Sequence, residues 1–204
     1  MNLSGGEIEA LARKSARGAG LPWGLAEEAG MATRWLAEHG RPGVAALAAL
    51  LPAIDGRPPM MPVPGAGDWR PRGEALCPIC TGAALADRLA TGPLRLRCVL
   101  APLLLVPQVA LVASQTGRAL AVDWPGGGAA LGPDPVWRGA AMPARADVTL
   151  APCEMPALPP VRPATPAPSD PEAVARLDAF ARRIYAPAHL GRDDGAGAGL
   201  TDTD

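Results

Sequence analysis

Two cysteines separated by a Pro-Ile dipeptide form the sharpest chemical motif in the sequence. Cys77 and Cys80 stand at the start of a predicted helix, where the helix N-terminus lowers the pKa of a thiol and favours a redox dithiol. The same spacing could supply half of a zinc site, but Cys98 and Cys153 each stand alone. Because a second metal-binding pair and the preceding apolar strand of a thioredoxin-like motif are both missing, we expect two small buried side chains and no metal.

A second set of reactive side chains lies in and before the predicted second helix. Glu28 and His39 fall on one side of that helix about three turns apart, and Arg17 belongs to the helix before it. A carboxylate packed against apolar groups has a raised pKa, which suits proton transfer. Glu28, His39 and Arg17 are therefore the candidate catalytic residues. The competing interpretation is that the glutamate interacts favourably with the helix dipole in the first turns of the helix.

Arg13, Arg17 and Trp23 could together frame an anion site where the second helix begins, because free N–H groups accumulate at a helix N-terminus. Arginine on the outer face of an amphipathic helix is the commoner explanation, and the sequence has no glycine-rich phosphate motif. Trp23 and Arg13 are thus candidate binding residues on the evidence of position alone.

The segment from Gly191 to Asp204 contains regularly spaced glycines and ends in Thr-Asp-Thr-Asp. Chain termini are usually disordered. Alternatively, its aspartates could bind a cation, although their spacing differs from that of a Ca²⁺ loop. A third alternative is an extended peptide in a narrow groove, since glycine permits close approach. On that alternative Thr201 and Asp202 become candidate binding residues.

The elements that must position these residues follow from periodicity and from helix-start signals. Residues 1–54 predict a unit of about three helices, opened by a capping box of Ser4 and Glu7. Residues 55–73 are rich in Pro and Gly and lack periodicity, which predicts a connector. Residues 74–186 predict an α+β unit and residues 187–204 a Gly/Asp-rich tail, with one compact domain overall as the alternative.

Strand patterns dominate the second half of the chain. Alternation over 94–100 predicts a half-buried strand. Residues 103–114 predict a further strand at an edge or bulge, because of Pro107, with 119–124 as its hairpin partner. A helix start at 169–172 then closes the order helices, strands, helix. This order predicts an α+β fold with a small, mostly antiparallel sheet and a C-terminal helix.

Two stretches resemble an uncharacterised bacterial family known only as a domain of unknown function. The first comprises Glu-Ile-Glu-Ala-Leu-Ala-Arg-Lys at residues 7–14 and Trp-Gly-Leu-Ala-Glu-Glu-Ala-Gly at residues 23–30. The second is the ending Gly-Ala-Gly-Ala-Gly-Leu-Thr-Asp at residues 195–202. The resemblance implies a bacterial origin and supplies no reaction, fold or residue role.

Charge and hydropathy narrow the class of function. The formal charge is −1, so the strongly basic face of a nucleic-acid binder is not expected. The N-terminus lacks the basic and apolar regions of a signal peptide. The longest apolar run, 99–113, is shorter than the roughly 20 residues of a spanning helix. We therefore expect a cytoplasmic protein with free thiols that binds neither nucleic acid nor membrane.

The composition offers few catalytic side chains. Lys14 and Tyr185 are the only residues of their types, while the abundance of Ala, Gly, Pro and Arg is typical of GC-rich codon usage. The function is unknown, and our first hypothesis is a small accessory or interaction protein, such as a subunit of a metabolic enzyme complex. It would have a protein partner or self-associate, without a cofactor. The alternatives are a small enzyme with a cleft between the helical and β units, and a Cys-Pro-Ile-Cys redox or zinc module; the sequence leaves enzymatic activity open.

Overall fold

The predicted capping box of Ser4 and Glu7 opens the first helix, α1 (Gly5–Gly18), in the computed structural model, which describes residues 1–57 and 60–185. The Ser4 N–H donates to the Glu7 carboxylate at 2.8 Å, and the Glu7 N–H donates to the Ser4 hydroxyl at 3.3 Å. These bonds satisfy two N–H groups that a helix start leaves free. Helices α2 (Trp23–Glu38) and α3 (Gly43–Ile54) follow after short turns, which confirms the predicted helical unit.

Helix α1 packs against α2 and against the last helix, α6 (Pro171–Ala181). The buried hydroxyl of Ser15 lies 2.7 Å from the carbonyl oxygens of both Leu11 and Leu177, so it can donate its hydrogen bond to either oxygen. Gly18 lies directly against the carbonyl of Phe180, where a Cβ atom would collide with the backbone. The first and last helices are therefore in backbone contact.

A seven-stranded sheet forms the other half of the described structure. Its strands are β1 (Pro62–Val63), β2 (Asp68–Pro71), β3 (Leu94–Leu100), β4 (Leu120–Trp124), β5 (Gly127–Leu131), β6 (Val136–Gly139) and β7 (Arg145–Pro152). The order is β1-β2-β3-β7-β4-β5-β6, and only β2 and β3 pair in parallel within it. The mostly antiparallel sheet and the α+β class are thus confirmed, and the tight hairpin is β4–β5.

The prediction of a strand at 103–114 is wrong. A 3₁₀ turn (Pro102–Leu105) and helix α5 (Val106–Thr116) occupy this stretch. Each proline stands in the first turn of its helix, where a missing N–H breaks no hydrogen bond. Most of this run is buried, so its residues are apolar on nearly every side of the helix. It therefore lacks the periodic alternation of apolar and polar residues that distinguishes a helix from a strand.

Helices α4 (Pro78–Asp87) and α5 join the helical unit to the sheet. Helix α2 contacts both of them, and α5 in turn contacts β4 and β5. One continuous cluster of buried side chains runs from Ile8 in α1 through Leu120 in β4 to Phe180 in α6. Within residues 1–57 and 60–185, no helix combines the length and apolar character needed to cross a bilayer.

The sheet face turned away from α5 carries a transverse row of mainly charged residues. Paired residues across six strands are Asp68, Arg95, Thr149, Asp123, Gly128 and Arg138. Gly128 has no side chain, so Arg138 reaches over it to Asp123 at 2.7 Å. Beside the row, Arg97 bridges Asp68 at 3.1 Å and Asp147 at 3.0 Å.

Substituting Gly18 should destabilise the fold. Gly18→Ala places a Cβ atom against the Phe180 carbonyl, and we expect a loss of about 1–3 kcal/mol of unfolding free energy from overpacking. Gly24→Ala is the matched control, because no heavy atom lies within 4 Å of its added Cβ. It should gain up to about 1 kcal/mol from helix propensity. Urea unfolding of both variants checks this, and equal stabilities would contradict the α1–α6 contact.

Asp147 and Asp123 should change the free energy of unfolding in opposite directions as the pH rises through the acid range. The Cys98 N–H, together with Arg97, lowers the pKa of Asp147 in the folded state. Ionised Asp147 therefore stabilises the folded protein above the pKa that this residue has in the unfolded chain. The stabilisation is lost as the pH falls through its pKa in the folded state. Burial raises the pKa of Asp123 in the folded state despite Arg138. Asp123 therefore contributes to the free energy of unfolding below the pKa it has in the unfolded chain, and this contribution is lost as the pH rises through its pKa in the folded state.

Asp147→Asn should therefore reduce the loss of unfolding free energy as the pH falls below about 4, whereas Asp123→Asn should remove a fall above about pH 4. Urea titrations at a series of pH values measure both effects. Parallel stability–pH curves for the two variants would contradict these assignments.

Candidate functional site

A cavity of about 730 Å³ lies between the C-terminal half of α2, helix α5 and the loop that joins β5 to β6. Small-molecule sites typically enclose 300–1,000 Å³ behind mainly apolar walls with a few polar groups. The apolar lining includes Pro107, Ala110, Leu111, Pro133 and Pro135, and the polar lining includes Glu38, His39, Ser114 and Arg118. The cavity therefore has the size and composition of a ligand site.

A stacked indole and imidazole form one wall of this cavity. Trp35 and His39 are one helical turn apart on α2, with ring centroids 3.8 Å apart and planes inclined by 24°. His39 is 4 % exposed, and its Nδ1 lies 2.7 Å from the Trp35 carbonyl oxygen. A carbonyl only accepts, so Nδ1 carries the proton and Nε2 of the neutral ring is an acceptor. The helix backbone thus selects the tautomer.

The polar groups on the other side of the cavity come from the end of α5. Gly117 ends this helix in the left-handed conformation, with φ of 65°, which glycine adopts without strain. The chain then turns so that Arg118, together with Ser114, lines the cavity. Arg118 donates to the Thr91 hydroxyl at 3.4 Å and has no carboxylate partner among the described residues. Within residues 1–57 and 60–185, the cavity therefore offers an exposed cation without a carboxylate partner.

The acidic group of the cavity is already partnered. The Glu38 carboxylate pairs with Arg34 at 2.7 Å. Arg34 also reaches Glu9 of α1 at 3.1 Å, so the pair belongs to a small network on the α1–α2 surface. The Glu38 backbone carbonyl accepts a hydrogen bond from the Ala164 N–H at 2.8 Å. Glu38 is thus held by Arg34, whereas Arg118 has no carboxylate partner among the described residues.

The structure does not bring the predicted catalytic residues together. Glu28 is half-buried and accepts a hydrogen bond from the Gln108 amide at 2.5 Å, outside the cavity. His39 stands eleven residues further along α2, about 16 Å at the helical rise per residue. Arg17 donates to the Leu21 carbonyl at 3.1 Å at the turn between α1 and α2. Only His39 lines the cavity.

The predicted binding residues divide into three groups. The Arg17 guanidinium lies 5.5 Å from the ring centre of Trp23, so these two do meet at the start of α2. Arg13 packs beside Gly30 of α2. Thr201 and Asp202 lie outside the described residues.

The cysteines are distributed over three places. Cys77 and Cys80 are buried at the start of α4, as the sequence predicts, while Cys98 lies in β3 and Cys153 follows β7. Within the described ranges, no three metal-binding side chains come together.

Sequence reasoning missed Trp35, Ser114 and Arg118 as site residues. The spacing of Trp35 and His39 was a usable signal, because residues four apart on a helix are neighbours. Ser114 and Arg118 were obscured by the incorrect strand at 103–114, which placed them beside a hairpin turn instead of at the end of a helix.

The comparison with protein families locates one match, at the N-terminal end of the chain. Residues 3–62 match the model of a family described as a protein of unknown function (DUF3726). This confirms the resemblance of residues 7–30 to a family of unknown function. No curated protein sequence gives a significant match. The matched segment contains Trp35 and His39, whereas α5 and the sheet lie beyond it.

The tautomer of His39 is directly measurable. Its Nδ1 contact with the Trp35 carbonyl predicts that the neutral imidazole is protonated at Nδ1. Two-dimensional ¹H–¹⁵N spectra of the imidazole rings should show this pattern, and His189→Gln leaves one histidine in the chain. Protonation at Nε2 would contradict the assigned role of Nε2 as an acceptor.

Proposed function

We propose that this protein binds a small organic acid with a flat, apolar body in the cavity beside Trp35 and His39. The observation that carries the proposal is the combination of the stacked aromatic wall with Arg118, which has no carboxylate partner among the described residues. An aromatic face attracts a flat ligand through stacking contacts. A guanidinium binds a carboxylate through paired, charge-assisted hydrogen bonds.

His39 gives the site a further chemical capacity. Its Nε2 can accept a hydrogen bond from a ligand hydroxyl or amide, and the same atom is suited to general-base chemistry. The alternative of a small enzyme with a cleft between the helical and β units is therefore a special case of this proposal. In that case His39 would remove a proton from the bound ligand.

A protein partner or self-association is the second candidate function. It is favoured by an apolar groove of about 280 Å³ between α3 and the segment before β7, where Met142 is 55 % exposed. A cytoplasmic site of action is part of both proposals. It is supported by four free thiols, which are typical of a reducing compartment. The formal charge of −1 gives no electrostatic support for nucleic-acid binding.

Matched pairs of acids and neutral amides test the proposed ligand class. We expect one- and two-ring aromatic carboxylates, such as benzoate and 2-naphthoate, to bind more tightly than benzamide and 2-naphthamide. Isothermal titration calorimetry gives the affinities. Indole N–H resonances, assigned with Trp35→Leu, locate the site.

Arg118→Gln should weaken binding of the acids about tenfold or more, the value of a hydrogen bond to a charged group, and leave the amides unchanged. Arg72→Gln is the matched control, because Arg72 is exposed and does not line the cavity. If acids and amides bind equally, or if the Trp35 resonance is the same with and without them, the proposal is wrong.

A further inference from the structure

We propose that Cys77 and Cys80 form a reversible dithiol–disulfide switch that hydrogen peroxide oxidises. This inference is independent of the proposed ligand site, because neither cysteine lines that cavity. It rests on the positions of the two cysteines at the start of α4 and on the way the chain holds them.

The two cysteines stand at the two positions of a helix start that a disulfide can join. Cys77 is the residue that precedes α4, with an extended backbone at φ of −73° and ψ of 123°, and Cys80 lies in the first turn. Each thiol perturbs the pKa of the other, so the two side chains are neighbours. Residues three apart at a helix start have Cα atoms near enough for a disulfide, which spans about 4.4–6.8 Å between Cα atoms. Forming the bond therefore requires only local rotation of two side chains.

The environment gives the two thiols different roles. The Cys80 thiol and the backbone N–H groups of Cys80 and Ile79 stabilise a thiolate on Cys77 and lower its pKa. The hydrogen bond to Cys77, followed by burial, raises the pKa of Cys80 well above its ordinary range. Cys77 is thus the nucleophile, and Cys80 holds the proton until the second step.

The neighbouring backbone holds Cys77 in place. The Leu76 N–H donates to the Cys98 carbonyl at 2.9 Å, and the Leu76 carbonyl accepts from the Leu100 N–H at 3.0 Å. Leu76 therefore adds to the edge of β3 directly before the first cysteine. The Met60 N–H offsets part of the rise in the pKa of Cys80, so the Cys80 thiol is close to the segment that enters β1.

Burial selects the oxidant. Cys77 is 1 % exposed and Cys80 is 0 % exposed, which excludes a tripeptide disulfide such as oxidised glutathione more strongly than it excludes hydrogen peroxide, a molecule little larger than water. Cys98 and Cys153 are half-buried. They are therefore the thiols that larger reagents reach first.

The reaction balances with peroxide as the two-electron oxidant. The Cys77 thiolate attacks one peroxide oxygen, and the O–O bond breaks. Hydroxide departs, and Cys77 becomes a sulfenic acid. The Cys80 sulfur then attacks the Cys77 sulfur, an S–S bond forms, and the S–O bond breaks. The departing oxygen takes the Cys80 proton and leaves as water. A cellular dithiol reverses the change by thiol–disulfide exchange.

The test uses the full chain with the two other cysteines replaced, Cys98→Ser and Cys153→Ser, after circular dichroism confirms that it folds. The protein is treated with hydrogen peroxide and quenched in acid. It is then unfolded and alkylated with N-ethylmaleimide, and its mass is measured by mass spectrometry. We expect both alkylation sites to disappear together and to return after treatment with dithiothreitol. Retention of both sites, or loss of one alone, would overturn the proposal.

Single variants in the same background separate the two roles. Cys80→Ser should stop the reaction at a sulfenic acid on Cys77, which dimedone traps as a mass adduct. Cys77→Ser should slow the oxidation of the remaining thiol about tenfold or more, because burial still raises the pKa of Cys80 and disfavours its thiolate. Equal reactivity of the two single variants would overturn the assignment of Cys77 as the nucleophile.

Discussion

Backbone-to-backbone contact between helices is the constraint on which the rest of the structure depends. A Cβ atom on Gly43 would lie 2.5 Å from the Thr33 carbonyl, and one on Gly30 would lie 3.0 Å from the Glu9 carbonyl. Helix α2 is thus held against α3 at a separation that only glycine permits, and against α1 at a second point where a Cβ atom would be unusually tight. These contacts fix the C-terminal half of α2, and with it the direction in which Trp35 and His39 face.

Helix α5 forms the wall of the cavity opposite α2, and a buried polar contact sets the distance between these two helices. Gln108 in α5 is 4 % exposed and donates to Glu28 in α2. Because an unpaired buried amide is costly, the pair specifies how α5 sits against α2. Gly82 in α4 leaves the room that the Gln108 side chain occupies. Glu28, which the sequence suggested as a catalytic group, therefore acts in this account as a positioning residue between two helices.

The sequence predicts those parts of the structure that local physical chemistry decides. The capping box, the helical unit and the helix start at Cys77 follow from spacings of a few residues. Helix α5 does not, because a run that is buried nearly all round has no polar face to reveal its period. The cavity was also hidden, since its lining comes from α2, α5 and the loop after β5. Codon usage explains abundant glycine, but at Gly18 and Gly43 the structure requires it.

We propose that the space between α2 and α5 binds a flat organic acid. The most direct measurement is a crystal structure of the full chain soaked with a library of aromatic carboxylate fragments. We expect electron density for several fragments in this cavity, with a ring against Trp35 and a carboxylate at Arg118. Fragments bound only elsewhere on the protein, with this cavity holding solvent alone, would contradict it.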